Sequence, residues 1–385
     1  MEDFEKQFGT LSIAKRSKSA EDPTYMLHVD CQTTAVEHGS QAVAVACSNL
    51  SVCLYNKQTL RQTGQYLGHS GPICGVRFSQ TSGNLLYSAS SDGTIRCWDV
   101  RTPGASAVHI FKSHPSHVFT SFDINCEDQI ICAGTDKVLE DSYMVFWDVR
   151  ASSKECAPGG SLLGVYSESH NDDITQICFH PSNKNFLLSG SVDGLVNVFD
   201  VAKDTEDSAL LATCNLDSSV SFTNWAGETY QIYCLSHDEA FALWDLAQLD
   251  TEETITLLKI EDARESTKIP GSHLDYLIGG LYHEQAKKLV IVGGTNTGKI
   301  HLLECCKDGL KHMCSLENAH SSVVRCLHWD EQDHSLLTGG EDAQLFLWRP
   351  GAVELSVSKK ESLKSTSSVQ QKTRVHNKMF CKKRK

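Results

Sequence analysis

Proline is scarce, eight among 385 residues, and no apolar run reaches 18 residues, so no helix is expected to span a membrane. A long amphipathic helix pattern is missing as well. The first 15 residues hold no apolar stretch of the kind a secretory signal needs, which points to an intracellular protein with reduced thiols. The 16 cysteines fit that setting, because many stand singly inside apolar runs (Cys74, Cys97, Cys132, Cys178, Cys234) and act as small hydrophobes. No Cys-x-x-Cys occurs, and adjacent Cys305 and Cys306 would point to opposite faces of a strand. Neither a metal nor another cofactor is expected, and no carboxylate pair stands out as an acid–base couple.

What is present is a repeat. Six short apolar runs end on an aromatic residue, at Tyr55, Trp98, Trp147, Phe199, Trp244 and Trp348. A polar turn residue precedes each by six places: Asn49, Asp92, Asp141, Asp193, Asp238 and Asp342. A worn copy, Gly293 to Gly298, aligns with Ser189 to Gly194 and puts Leu303 in the aromatic slot. The slots are separated by 43, 49, 52, 45, 59 and 45 residues. Runs such as Leu289 to Val292, closed by Gly, Asp or Asn, read as strands. A strand-and-turn repeat near 45 residues corresponds to one propeller blade per period.

Gly68-His69, Asp92 and Trp98-Asp99 make the chain resemble the WD-repeat β-propeller family, from Leu27 to Trp348. The resemblance implies an all-β, seven-bladed ring at 24–350, with blades near 24–67, 68–112, 113–165, 166–214, 215–260, 274–317 and 318–350. It also implies a buried relay in which an Asp accepts from a His and from turn amides, while a strand hydroxyl links the His to the indole. The candidate members are His69, Ser88 or Ser90, Asp92 and Trp98; His114 and Trp147; His170 and Asp193; and His320, Asp342 and Trp348. His69–Asp92 and His170–Asp193 are spaced by 23 residues, and His320–Asp342 by 22. In blade three Asp136 and Asp141 compete for the turn, an insertion of about five residues would reconcile them, and His114 fits better than His117.

Two motifs imitate catalysis. His, Ser and Asp within one blade resemble a nucleophilic triad, but the set recurs in several blades, whereas a catalytic site is normally built once. The run Gly293-x-x-x-x-Gly298-Lys299 imitates a phosphate-binding loop. Ile300 stands where a magnesium-binding hydroxyl is needed, and the residues after it read as a strand instead of a helix whose N-terminus would face phosphate. A non-enzymatic protein is expected, with no small-molecule substrate.

After Trp348 no fourth strand is evident for the last blade. Leu11 to Lys15, within an N-terminal segment at 1–23, alternates suitably to supply it, as the N-terminus commonly does in this family. Charge is uneven. Residues 351–385 hold eight Lys and two Arg against two Glu, so the first 350 carry −21 of the total −13. That polar, basic tail reads as disordered, and Lys382-Lys383-Arg384-Lys385 is a candidate nuclear or nucleolar address or a weak RNA contact. Asp136, Glu140, Asp141, Asp172 and Asp173 should gather on one rim and favour basic partners, unless they serve solubility alone. Asp204 to Asp207 and Asp250 to Glu253 should lie on the other. On that second rim Arg101 and Arg150 follow the Trp-Asp of blades two and three, which resembles the boxes of propellers that dock on the adaptor of cullin-type ubiquitin ligases. The expected function is a protein-interaction scaffold, with a ligase substrate receptor as the alternative.

Overall fold

The computed structural model describes residues 2–19, 24–33, 41–113, 117–151, 161–246 and 254–352. His114, the basic tail and Asp250 to Glu253 lie outside them. Seven antiparallel four-stranded sheets follow one another, six in plain chain order. Blade two is typical, with strands Ile73–Phe78, Leu85–Ser90, Thr94–Asp99 and His109–Lys112. The second strands are buried on both faces, which explains their continuous apolar runs, such as Leu289 to Val292. Outer strands such as Gln62–Tyr66 and Ile255–Ile260 are largely exposed.

All seven aromatic-slot residues, Leu303 included, are at most 2 % exposed. Each lies in a third strand and is worth about 1.5–3 kcal/mol of burial. In blades one, three, four, five and six the pairing of third and fourth strands shifts register beside that slot. The innermost strand of every blade carries a second irregularity near its start. Such bulges increase local twist, which suits strands that must splay outwards from a common axis.

The ring is closed by Leu11–Lys18, which pairs antiparallel with Gln344–Pro350 as the outer strand of blade seven. Ahead of it, Glu2–Gly9 forms a helix that the sequence pattern did not reveal. Two turns are too short to signal or sustain a helix alone. Phe4 and Phe8, one turn apart, hold it by packing beside His283, with Phe8 also stacked on Trp329 at 5.1 Å. Buried Lys57 of blade one bonds Asp330 and Asp333 of blade seven across the same closure.

Candidate functional site

In blade two His69 Nδ1 lies 3.0 Å from Asp92, and Nε2 lies 2.8 Å from Ser88 Oγ. The Trp98 indole N–H donates to the same oxygen at 2.8 Å. The carboxylate requires the proton on Nδ1, so Ser88 donates to Nε2 and receives from Trp98. Ser90 belongs elsewhere: its hydroxyl donates to the Gly71 carbonyl and accepts from the Asp92 amide. Blade seven repeats the chain with His320, Asp342, Thr338 and Trp348. Blade four has His170, Asp193 and Ser189, with Phe199 in the indole's place.

These groups have the connectivity of a nucleophilic triad without its access. Ser88 and Ser189 are fully buried, and the indole already occupies one lone pair of Ser88. Burial opposes ionisation of Asp92, but bonds from His69, Thr94 and the Ser70 amide overcome it and hold the carboxyl far below the usual range. Asp193 and Asp342 are likewise depressed. Asp92→Ala is expected to cost about 1–3 kcal/mol in urea unfolding at pH 7, because it strands the donors on His69 and the turn. A carboxyl depressed on folding stabilises above its unfolded pKa, so the deficit should shrink as pH falls below about 4. An unchanged unfolding midpoint at pH 7 would contradict this role.

Blade three departs from the pattern. Trp147 donates instead to the Lys112 carbonyl, at 3.3 Å. The register that pairs Ser88 with Arg96 pairs Ala133 with Val145, so no hydroxyl stands in the equivalent place. Asp136 feels the charges of Asp173 and His117, and His117 packs on Tyr143 with ring centres 4.7 Å apart. The inserted turn is pinned by backbone bonds between Val138 and Asp141, which push Leu139 out at φ 65°, 92 % exposed. Its neighbour Glu140 is exposed, as is Asp141. The Lys137 amide donates to Asp173 at 2.8 Å, and its ammonium stands 3.9 Å from Asp172.

On the opposite connections Arg101 forks onto Asp99, and Arg150 forks onto Asp148. Both guanidinium side chains remain well exposed, at 67 % and 64 %. The phosphate-loop imitation is a turn between two strands, Lys288–Gly294 and Ile300–Cys306. A Cβ on Gly298 (φ 90°) would strike the His320 carbonyl, so this glycine serves the turn. Lys299 reaches Glu317 at 3.1 Å.

A polar belt around the central channel went unread in the sequence. The register places Asp30, Arg77, Asp123, Cys178, Asn224, Gly279 and His328 at equivalent points of the seven inner strands. All line a cavity of 630 Å³. Arg77 bonds Asp123 at 3.0 Å and stands 3.9 Å from Asp30, which also meets His328 at 3.4 Å. The other oxygens of Asp30 and Asp123 accept the amides of Phe78 and Phe179 in the next blades. Cys178 closes onto Asn224 at 3.0 Å. Side chains of one blade thus hold the backbone of the next.

Seven four-stranded blades with a recurrent buried His–Asp pair define a repeat propeller. The WD domain, G-beta repeat, matches residues 60–99, 160–200 and 311–349, which end at the third strands of blades two, four and seven. Those are the blades in which the described residues include the His–Asp pair of the relay. The chain is 28% identical over 312 residues to the WD repeat-containing protein 89 homolog of Dictyostelium discoideum, covering 80% of this chain and 79% of that one. It is 29% identical to the WD repeat-containing protein GTS1 of Arabidopsis thaliana, covering 80% and 78%. An uncharacterized WD repeat-containing protein of Saccharomyces cerevisiae is 34% identical, covering 72% and 66%. The chain belongs to the WD-repeat family of β-propellers. Among the described residues no helix is long and apolar enough to cross a membrane.

Proposed function

We propose that this propeller is a protein-interaction scaffold without chemistry of its own, and that it takes a basic segment of a partner protein where blades three and four meet. The inserted turn carries this reading. It presents Leu139 as an exposed apolar tip followed by Glu140 and Asp141, close to Asp136, Asp172 and Asp173. Burial and the facing Asp173 push Asp136 upward, as expected where like charges are crowded. Exposed Val118 and Val138 extend the apolar surface. A segment bearing Lys or Arg beside an apolar side chain complements both features, and the acidic field would speed its encounter.

The receptor reading is favoured by one observation: Arg101 and Arg150 present the same exposed fork on adjacent blades. A partner carboxylate would have to replace Asp99 and Asp148, and such exposed pairs contribute little to stability. Quantitative affinity purification from cells, comparing intact chain with two variants, separates the readings. Asp172→Lys with Asp173→Lys should deplete the scaffold's partners more than tenfold, while Arg101→Ala with Arg150→Ala leaves them unchanged. Loss of a cullin adaptor in the arginine variant alone would favour the receptor. Full recovery of all partners by both variants would overturn both. The Lys382 to Lys385 cluster supports a nuclear or nucleolar address.

A further inference from the structure

Where blade six meets blade seven, one side chain of the first and two from a single turn of the second come together. His283 ends the inner strand Tyr276–His283, while Glu331 and His334 lie in the turn between Val324–Asp330 and Ser335–Gly340. One nitrogen of each imidazole and one carboxylate oxygen of Glu331 all lie within 4.8 Å of one another. His283 Nδ1 is 3.7 Å from Glu331 Oε1, and the two imidazole planes are within 2° of parallel.

The surrounding hydrogen bonds orient these groups. His283 Nε2 lies 3.1 Å from Gln7 Oε1 of the N-terminal helix, which places the proton on that nitrogen and leaves a lone pair on Nδ1. The Ala286 amide approaches Nδ1 at 3.2 Å, a bond a stronger acid can displace. Glu331 Oε2 accepts the Trp329 indole N–H at 2.6 Å, and Oε1 accepts the Glu284 amide at 3.1 Å. Nδ1 of His334 is buried without a hydrogen-bond partner, and its backbone sits at φ 51°, uncommon for a residue other than glycine. Donor atoms from three residues therefore stand within 4.8 Å of one another, and the two parallel rings have to turn for their in-plane lone pairs to meet one ion.

We propose that His283, Glu331 and His334 form a binding site for one borderline divalent metal ion, of which Zn²⁺ is the best match. Two neutral imidazoles and a carboxylate are donors this ion takes, at about 2.0–2.2 Å. Ligands at that distance in tetrahedral geometry stand roughly 3.3 Å apart, so the His283–Glu331 separation needs to close by only a few tenths of an ångström. Gln7 behind one ligand and Trp329 behind another supply the outer hydrogen bonds that metal ligands characteristically have. Glu331 also lines the central channel, from which water can fill the fourth position. The ion would tie blade six, blade seven and the N-terminal helix together at the closure of the ring.

The test is metal content and Co²⁺ spectroscopy on the full chain, intact and as single variants. The intact chain should retain close to one equivalent of Zn²⁺ after dialysis. Co²⁺ should give the intense visible absorption of a tetrahedral site, and Zn²⁺ should raise the melting temperature. His334→Ala should abolish all three, with the zinc-induced rise read against the variant's own metal-free melting temperature, because the substitution also removes ring contacts with His283 and Trp329. Glu331→Gln should do the same to the metal readouts, and Gln7→Ala should weaken affinity 10–100-fold. Binding that persists undiminished in His334→Ala and Glu331→Gln would overturn the assignment, as would an intact chain that holds neither ion.

Discussion

A chain lacking residues 1–18 is expected to fail to fold into a soluble monomer. The truncation removes the fourth strand of blade seven and bares the backbone edge of Gln344–Pro350, a template for pairing with other chains. It also takes Phe4, Phe8 and Leu11 from a core shared with Val290, Phe346 and Trp348. Three buried side chains of that size are worth on the order of 5–8 kcal/mol, close to the whole stability of a typical domain. The lost strand hydrogen bonds add to this. Phe8→Ala keeps the strand and should cost about 3–5 kcal/mol, seen as a lower melting temperature in a chain that remains monomeric. A truncated chain that elutes as a monomer and melts where the intact one does would show that the N-terminal segment does not close the ring.

Which parts were legible in the sequence follows from how local each signal is. The slot at Tyr55, Trp98 or Leu303 is buried in every blade, so its apolar character recurs at a readable spacing. The His–Asp pairs of blades two, four and seven span one turn of strands and survive as a fixed separation. Trp147 misled because an indole marks the slot without naming its acceptor; the alanine at 133, in the place of Ser88, was the missing clue. The N-terminal strand was legible by its alternation, but the helix before it rests on contacts with blades six and seven. Polar residues inside apolar inner strands (Asp30, Arg77, Asp123, Asn224, His328) were visible one at a time. Their meaning appears only when seven blades bring them to one radius. The convergence of His283 with Glu331 and His334 has the same origin.

Arg77→Met tests whether that belt holds the blades together. The guanidinium faces Asp30 on one side and Asp123 on the other, and its removal leaves two carboxylates facing a narrow channel. Breaking such a pair while keeping its partners should cost about 2–4 kcal/mol at pH 7, less than in a dry core because the channel admits water. Acid should change the size of this deficit. Burial opposes ionisation of Asp30, but His328, Arg77 and the Phe78 amide together bring its carboxyl below the usual range. Burial keeps Asp123 above that range even with Arg77 and the Phe179 and Ile124 amides pulling it down. Without Arg77 both carboxyls rise, so the folded variant binds more protons than the folded parent. Stability then shifts in the variant's favour as protons are added, and its deficit should shrink from pH 7 towards the unfolded Asp value near about 3.9. Adding Asp123→Asn to Arg77→Met should recover part of the loss at pH 7 and flatten the pH dependence, because one of the two stranded charges is gone. Urea unfolding of the parent and both variants at pH 7 and pH 5 decides the matter. A deficit that grows on acidification, or none at pH 7, would mean that apolar packing alone keeps adjacent blades in register.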